Sequence, residues 1–383
     1  MSDIVVTPGE IARRTILRAD WVPCKSAFID CRTPGSDRKD NYSFIGPGVS
    51  QNPDQHVNLR EPHGFNLGAA GMPHGTTNSL HLHFTAEVFI NFDGEYQLRW
   101  GPNGDQGEYR SVDGDVVSVP PWIFRGFTNV GPDEGILLTV LGRDDPGGIL
   151  WGPPVLEEAA GYGLYLTADN QLVDTAIGQR VPEGAQLIEP MDQAEIDRLD
   201  VYTVEQFRTR VVHADDRTWV AEPYLCSLLP GGRAQLSPVI GQGTVEDRRA
   251  RPTLTDPHGF GLAWLRAEPG EGLLTHRHDR TQVLTAKAGR WVVTINVGDA
   301  AQTVELGPLD TLSVPPGAWR AITLLDAGDR DAGELLVVTG GDERVQLDWA
   351  PSVVAAARAA GRVLDANGCV APAAVLAAAT EDD

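Results

Sequence analysis

Two histidines one residue apart, His81 and His83, are followed by Glu87, and the run is bracketed by Gly75 and Gly94 in the order Gly-x5-His-x-His-x3-Glu-x6-Gly. On an extended strand, alternate residues face the same side with Cα atoms about 6.6–6.8 Å apart. Both imidazoles could therefore reach one metal ion at about 2.0–2.2 Å. Leu82 and Phe84 then face the opposite, packed side. Glu87 cannot share that ion if the strand continues, because four further residues carry it roughly 13 Å beyond His83. The chain must turn near Thr85 and Ala86, so that Glu87 opens the next strand and points back. Two imidazoles and one carboxylate are the donor set of non-haem Fe(II) oxygenase sites, which leave positions for oxygen and substrate.

The elements that must position these groups occur twice. Gly270, His276, His278, Gln282 and Gly289 repeat the spacing at an offset of 195, with Gln in place of Glu. Pro62-His63-Gly64-Phe65 recurs as Pro257-His258-Gly259-Phe260, and Pro120, Pro121 and Arg125 recur as Pro315, Pro316 and Arg320. Toward the end of each half the offset becomes 198, where Trp151, Pro153 and Gly163 match Trp349, Pro351 and Gly361. The chain is a tandem duplication, and its domains are expected at 1–195 and 196–383.

Each half opens with a helix signalled by a capping box, Thr7-x-x-Glu10 and Thr203-x-x-Gln206. Alternating apolar stretches with Gly and Pro turns follow, for example over 112–119 and 290–297, and predict strands. An Ala-rich helix closes each half, over 154–162 and 352–360. The expectation is an all-β protein of two units with short flanking helices. The alternation of strands and helices that a parallel sheet needs is absent. Residues 380–383 are expected to fray.

The 383 residues carry a net charge of −22, which argues against nucleic acid or an anionic membrane as a partner. No apolar run reaches the length of a membrane span, and the N-terminus lacks the pattern of a signal peptide. Cys24, Cys31, Cys226 and Cys369 show no paired spacing and read as reduced thiols of a cytoplasmic protein.

The doubled motif resembles the first signature of the cupin superfamily, and the chain is similar in plan to a bicupin. The resemblance implies two tandem cupin barrels of the double-stranded β-helix, or jelly-roll, type, each with a metal inside. In the second signature of that superfamily, Gly114, Pro120 and Asn129 match, but Trp122 stands where glycine is usual and Arg125 where the last histidine ligand falls. Arg320 replaces the same histidine in the second half. Arginine stays protonated and has no lone pair for a metal.

Two arrangements of Arg125 are open: it clamps a substrate carboxylate beside a metal held by His81, His83 and Glu87, or it pairs with Glu87 and no catalytic metal binds. His276, His278 and Gln282 are the candidate ligands of the second half, and Arg320, without a glutamate beside it, is a candidate for an anionic ligand. Trp122, with Trp100 and Trp319, could line a pocket; core packing is the alternative. His63, His258 and His74 read as turn residues.

Three functions follow as expectations. The first is an Fe(II)-dependent dioxygenase for a small carboxylated, aromatic or non-aromatic substrate, for which ring-cleaving bicupins such as gentisate 1,2-dioxygenase are the nearest functional model without a close match. The second is a non-oxidative isomerase or decarboxylase using Mn, Zn or Ni. The third is a binding protein without catalysis. Homo-oligomers are compatible with all three.

Overall fold

A computed structural model describes residues 4–375. The chain divides into two compact units, Val22–Asp216 and a second that joins the segment ending at Trp21 to the segment starting at Arg217.

In the first unit, a seven-stranded sheet runs in the order Val211–Val212, Val116–Val119, Glu87–Asp93, Gly135–Gly142, Phe65–Met72, Asp40–Ile45 and Val57–Leu59. A five-stranded sheet holds Ile149–Trp151, Thr77–His83, Arg125–Asn129, Tyr96–Trp100 and Gly107–Ser111. The second unit repeats this plan with sheets of six and five strands. Most pairings are antiparallel, and the fold is the two-barrel all-β architecture expected from the sequence.

The turn required by the metal motif is present. Strand Thr77–His83 ends before residues 84–86, and Glu87 begins the next strand in the other sheet. Gly94 closes the motif at φ 93°, where a Cβ would lie 2.9 Å from the Gly135 Cα, and Gly289 repeats the arrangement beside Gly333. Only glycine allows both the left-handed backbone and that close approach. The stretch 112–119 is a strand only over Val116–Val119, because Gly114 takes φ 84° and turns the chain first.

The helices start where their caps lie. Thr7 accepts from the Glu10 N–H before Pro8–Arg14, and Thr203 and Gln206 form the full reciprocal box before Val204–Arg208. The closing helices are Pro153–Gly161 and Pro351–Ala359.

The compact units are not the repeat units. The arm ending in Thr15–Ile16 adds to strand Thr311–Val314 of the second barrel, and the arm ending in Val211–Val212 adds to Val116–Val119 of the first. Arg14 donates to the Ser313 hydroxyl at 3.2 Å, and Arg210 to the Ser118 hydroxyl at 3.0 Å. Phe207 stacks on Trp100 at 4.2 Å between ring centroids. Each barrel is thus completed by the opening segment of the other half, so 4–21 and 196–216 pack away from the repeat to which 1–195 and 196–383 assign them.

All four cysteines are free thiols. Among the described residues no helix is long and apolar enough to cross a membrane. Residues 380–383 lie outside the described residues.

Candidate functional site

His81 and His83 project from one strand, with ring centroids 4.9 Å apart. Glu87 comes from the facing sheet, and one ligand atom from each of the three lies within 4.8 Å of the others. All three are buried. His81 Nδ1 lies 2.7 Å from the Ser79 carbonyl, and His83 Nδ1 lies 3.2 Å from the Gly148 carbonyl. A carbonyl only accepts, so each Nδ1 carries the proton and each Nε2 presents a bare lone pair. His83 Nε2 is 3.5 Å from Glu87 Oε1, so two lone-pair atoms face each other with no proton between them.

Electrostatics keep the donors in the forms a metal needs. Burial, then the Arg125 charge, holds both imidazoles below their ordinary range and therefore neutral. Burial alone would raise the Glu87 carboxyl, but the Arg125 guanidinium overcomes it and holds it well below the usual carboxylate range. Arg125 Nε and Nη2 donate to Glu87 Oε2 at 3.0 and 2.6 Å, and its Nη1 reaches the His81 and Ile123 carbonyls at 3.4 Å. Arg125 is therefore paired with Glu87, as in the second arrangement, but through Oε2 alone, so the pairing does not take both carboxylate oxygens from a metal. Its donors are engaged by the protein, and Glu87 Oε1 is left for another partner. The donor set fits a divalent cation: two neutral imidazoles and one carboxylate oxygen.

Behind the histidines lies a buried ion pair that no sequence motif announces. Lys39 Nζ donates to both Asp30 oxygens at 3.0 and 2.9 Å and also to Asn78 Oδ1. Asp30 Oδ2 accepts from the Ser79 N–H at 3.1 Å, and Ser79 carries the carbonyl that holds His81. This anchoring fixes ring orientation, as outer partners of metal-bound histidines do.

The three groups open onto a chamber of about 90 Å³, whose wall includes Ser43, Gln55, Asn78, Phe89 and Thr139. Trp122 is not part of that wall. The residue is 46% exposed, and its ring packs on Phe84 at 5.0 Å, on a backbone of φ 61°. Trp100 is core, and Trp319 lies under Arg277. His63 and His258 cap turns through the Glu61 and Asp256 carbonyls, and His74 bonds the Gly131 carbonyl.

The second barrel is arranged differently. Arg320 Nη1 stands 2.8 Å from His278 Nε2 and 3.4 Å from Gln282 Oε1, while Nη2 donates to the Ala318 carbonyl at 2.8 Å. The guanidinium thus takes the His278 lone pair that a metal would use. Burial lowers His276 to about 3 and Arg320 to about 9. The Arg320 charge and burial also hold His278 neutral.

A pH dependence follows. His81, His83, His276 and His278 are depressed when folded and titrate near 6.5 when unfolded. The unfolded chain therefore binds more protons below that value, and stability is lost as pH falls. From pH 6.5 to 5.5 the loss is about 1 kcal/mol for each histidine, or about 4 kcal/mol in all. Glu246, raised by burial to about 7, holds a proton in the folded state over the same interval, where the unfolded carboxyl is ionised. It opposes the loss by about 1 kcal/mol, leaving about 3 kcal/mol. Urea unfolding of chelator-treated protein at the two pH values checks this; equal stabilities would show that the imidazoles are not held neutral.

No family model and no curated protein matches the sequence. Solved structures do match. The chain is similar to an oxalate decarboxylase of Bacillus subtilis at 12% identity, covering 90% of this chain and 78% of that one, with a TM-score of 0.51. An oxalate decarboxylase of Lactobacillus farciminis, solved as a formate complex, matches at 13% identity over 90% of each chain, with a TM-score of 0.52. A 7S globulin of Momordica charantia matches at 12% identity over 88% of this chain and 86% of that one, with a TM-score of 0.50. The likeness is one of architecture and spans both barrels. Together with the doubled histidine motif, it gives this chain the bicupin fold, two cupin barrels in tandem.

Proposed function

We propose that the N-terminal barrel is the active site of a divalent-metal-dependent enzyme acting on a small carboxylated substrate, with Fe(II) and dioxygen as its chemistry. The observation that carries this reading is the convergence of His81 Nε2, His83 Nε2 and Glu87 Oε1, with no proton among them, on one chamber of the barrel. A bound ion would supply Lewis acidity and, as iron, one-electron redox chemistry.

The residues do the rest. His81 and His83 offer neutral donors, and Arg125 keeps Glu87 ionised. Glu87 and Arg125 cancel in charge, so a divalent ion would leave the site strongly positive and select an anion. These side chains are buried, and the low dielectric around them strengthens that attraction.

His276, His278 and Gln282 read best as the ligands of a site closed by its own cation, Arg320. Protein reconstituted anaerobically with Fe(II) is therefore expected to hold close to one iron per chain by plasma mass spectrometry, unchanged by His276→Ala. Two ions per chain would restore the second set as ligands.

A second reading, decarboxylation or isomerisation without oxygen, is supported by the shared fold with oxalate decarboxylases and by the chamber. About 90 Å³ suits a short aliphatic acid better than an aromatic ring. An oxygen electrode separates the two. Oxygen consumed in step with substrate supports the first reading, and turnover under nitrogen with Mn, Zn or Ni supports the second. Anion binding without turnover in either condition would make the chain a binding protein.

A further inference from the structure

The wall of the N-terminal chamber differs from its counterpart in the other barrel in a consistent way. The registers align the two walls: Ser43 faces Gly68 as Pro238 faces Ala263, and Thr139 faces Phe89 as Val337 faces Leu284. Ser43, Gln55, Asn78 and Thr139 line the chamber, and the matching positions are Pro238, Ala250, Leu273 and Val337. Ala70 lines the chamber where the other half has Leu265. Leu265, Leu273 and Val337 belong to the packed core of the second unit. One barrel is filled with apolar side chains at the positions where the other keeps space and polar groups.

Polar groups held in a buried wall need partners. Gln55 is 6% exposed, and its Nε2 donates to the Ser43 hydroxyl at 2.7 Å. Its Oε1 is buried and has no partner among the described residues. The Gln55 N–H is itself fixed on the Asn52 carbonyl at 3.1 Å, so the side chain springs from an anchored loop. Leaving a buried acceptor unpaired costs about 1–3 kcal/mol. A ligand hydrogen would remove that cost.

We propose that Gln55, backed by Ser43, is a substrate-recognition residue whose Oε1 accepts from a hydroxyl or N–H at the far end of a short carboxylate. The assignment rests on the metal and carboxylate reading above and adds the second functional group of the ligand. The chamber has room for on the order of six to nine water-sized groups, which matches a small hydroxycarboxylate.

Calorimetric titration of the Zn(II)-loaded protein with propionate and 3-hydroxypropionate tests this, because the two acids differ by one hydroxyl on the far carbon. The hydroxy acid is expected to bind about tenfold more tightly. Gln55→Leu, similar in volume, should erase that preference while leaving propionate within about twofold. Gln55→Glu keeps an acceptor oxygen and should keep the preference, which guards against a leucine variant that fails to fold.

Equal binding of the two acids by the wild type would overturn the proposal, as would a preference that survives Gln55→Leu. Propionate binding without any hydroxyl preference sinks only this assignment. Failure to hold Zn(II) sinks the metal reading, and this one with it.

Discussion

Replacing His81 by alanine is expected to lower the metal content from about one ion per chain to less than about a tenth, and turnover by at least about a thousandfold. Among the described residues three side chains converge on the site, and His81 is the one held most firmly, through Ser79 and the Asp30–Lys39 pair. A chelate reduced from three donors to two loses the geometry that distinguishes a site from two adjacent surface groups.

Stability gives an independent readout. At a metal concentration of about 100 times Kd, binding stabilises the folded wild type by about 2.7 kcal/mol. For a unit of this size that raises the thermal midpoint by roughly 5–10 °C. The alanine variant should show no such rise with Zn(II), whereas His278→Ala should behave as the wild type does. A His81→Ala chain that retains its metal would remove the three-residue site altogether.

Arg125→Met should have the largest effect on the metal-free protein. Glu87 is 4% exposed, and its Oε2 receives both of the close guanidinium bonds. Taking away the cation strands a carboxylate in the interior, a change that costs about 3–5 kcal/mol. The midpoint should fall by roughly 6–20 °C. Zn(II) brings a second source of positive charge to the same carboxylate, so it should raise the midpoint of the variant by more than that of the wild type. Were Arg125 instead a clamp for substrate, the variant would keep its stability and show a raised KM alone. Differential scanning calorimetry with and without metal, followed by steady-state kinetics, distinguishes the two.

The parts of this molecule that could be read from its sequence are those written as fixed spacings. The paired motif determined which strand carries His81 and His83 and where the chain must turn before Glu87, because strand geometry leaves one solution. The cap residues likewise located the opening helices to within a residue. Arg125 left two arrangements, since a sequence names a cation without naming its partner. Lys39, Asp30 and Gln55 carry no spacing signal at all. Their positions depend on loops folding over the barrel, which is a matter of packing between segments far apart in the chain. The exchange of arms was also hidden. Repetition shows which residues recur, but not which of two similar barrels a terminal strand joins.

That exchange has a consequence for the order in which the molecule can be made. Val6 bonds to Asn296 and Arg14 to Ser313, partners 290 and 299 residues further along the chain. Arg210 finds Ser118 only 92 residues back. A ribosome adding about 5–20 residues per second releases the first arm some 15–60 s before its docking strand exists. The second arm emerges when its barrel has already been synthesised. The first segment must therefore wait unpaired until the second barrel is made, and that barrel closes around a segment synthesised well before it.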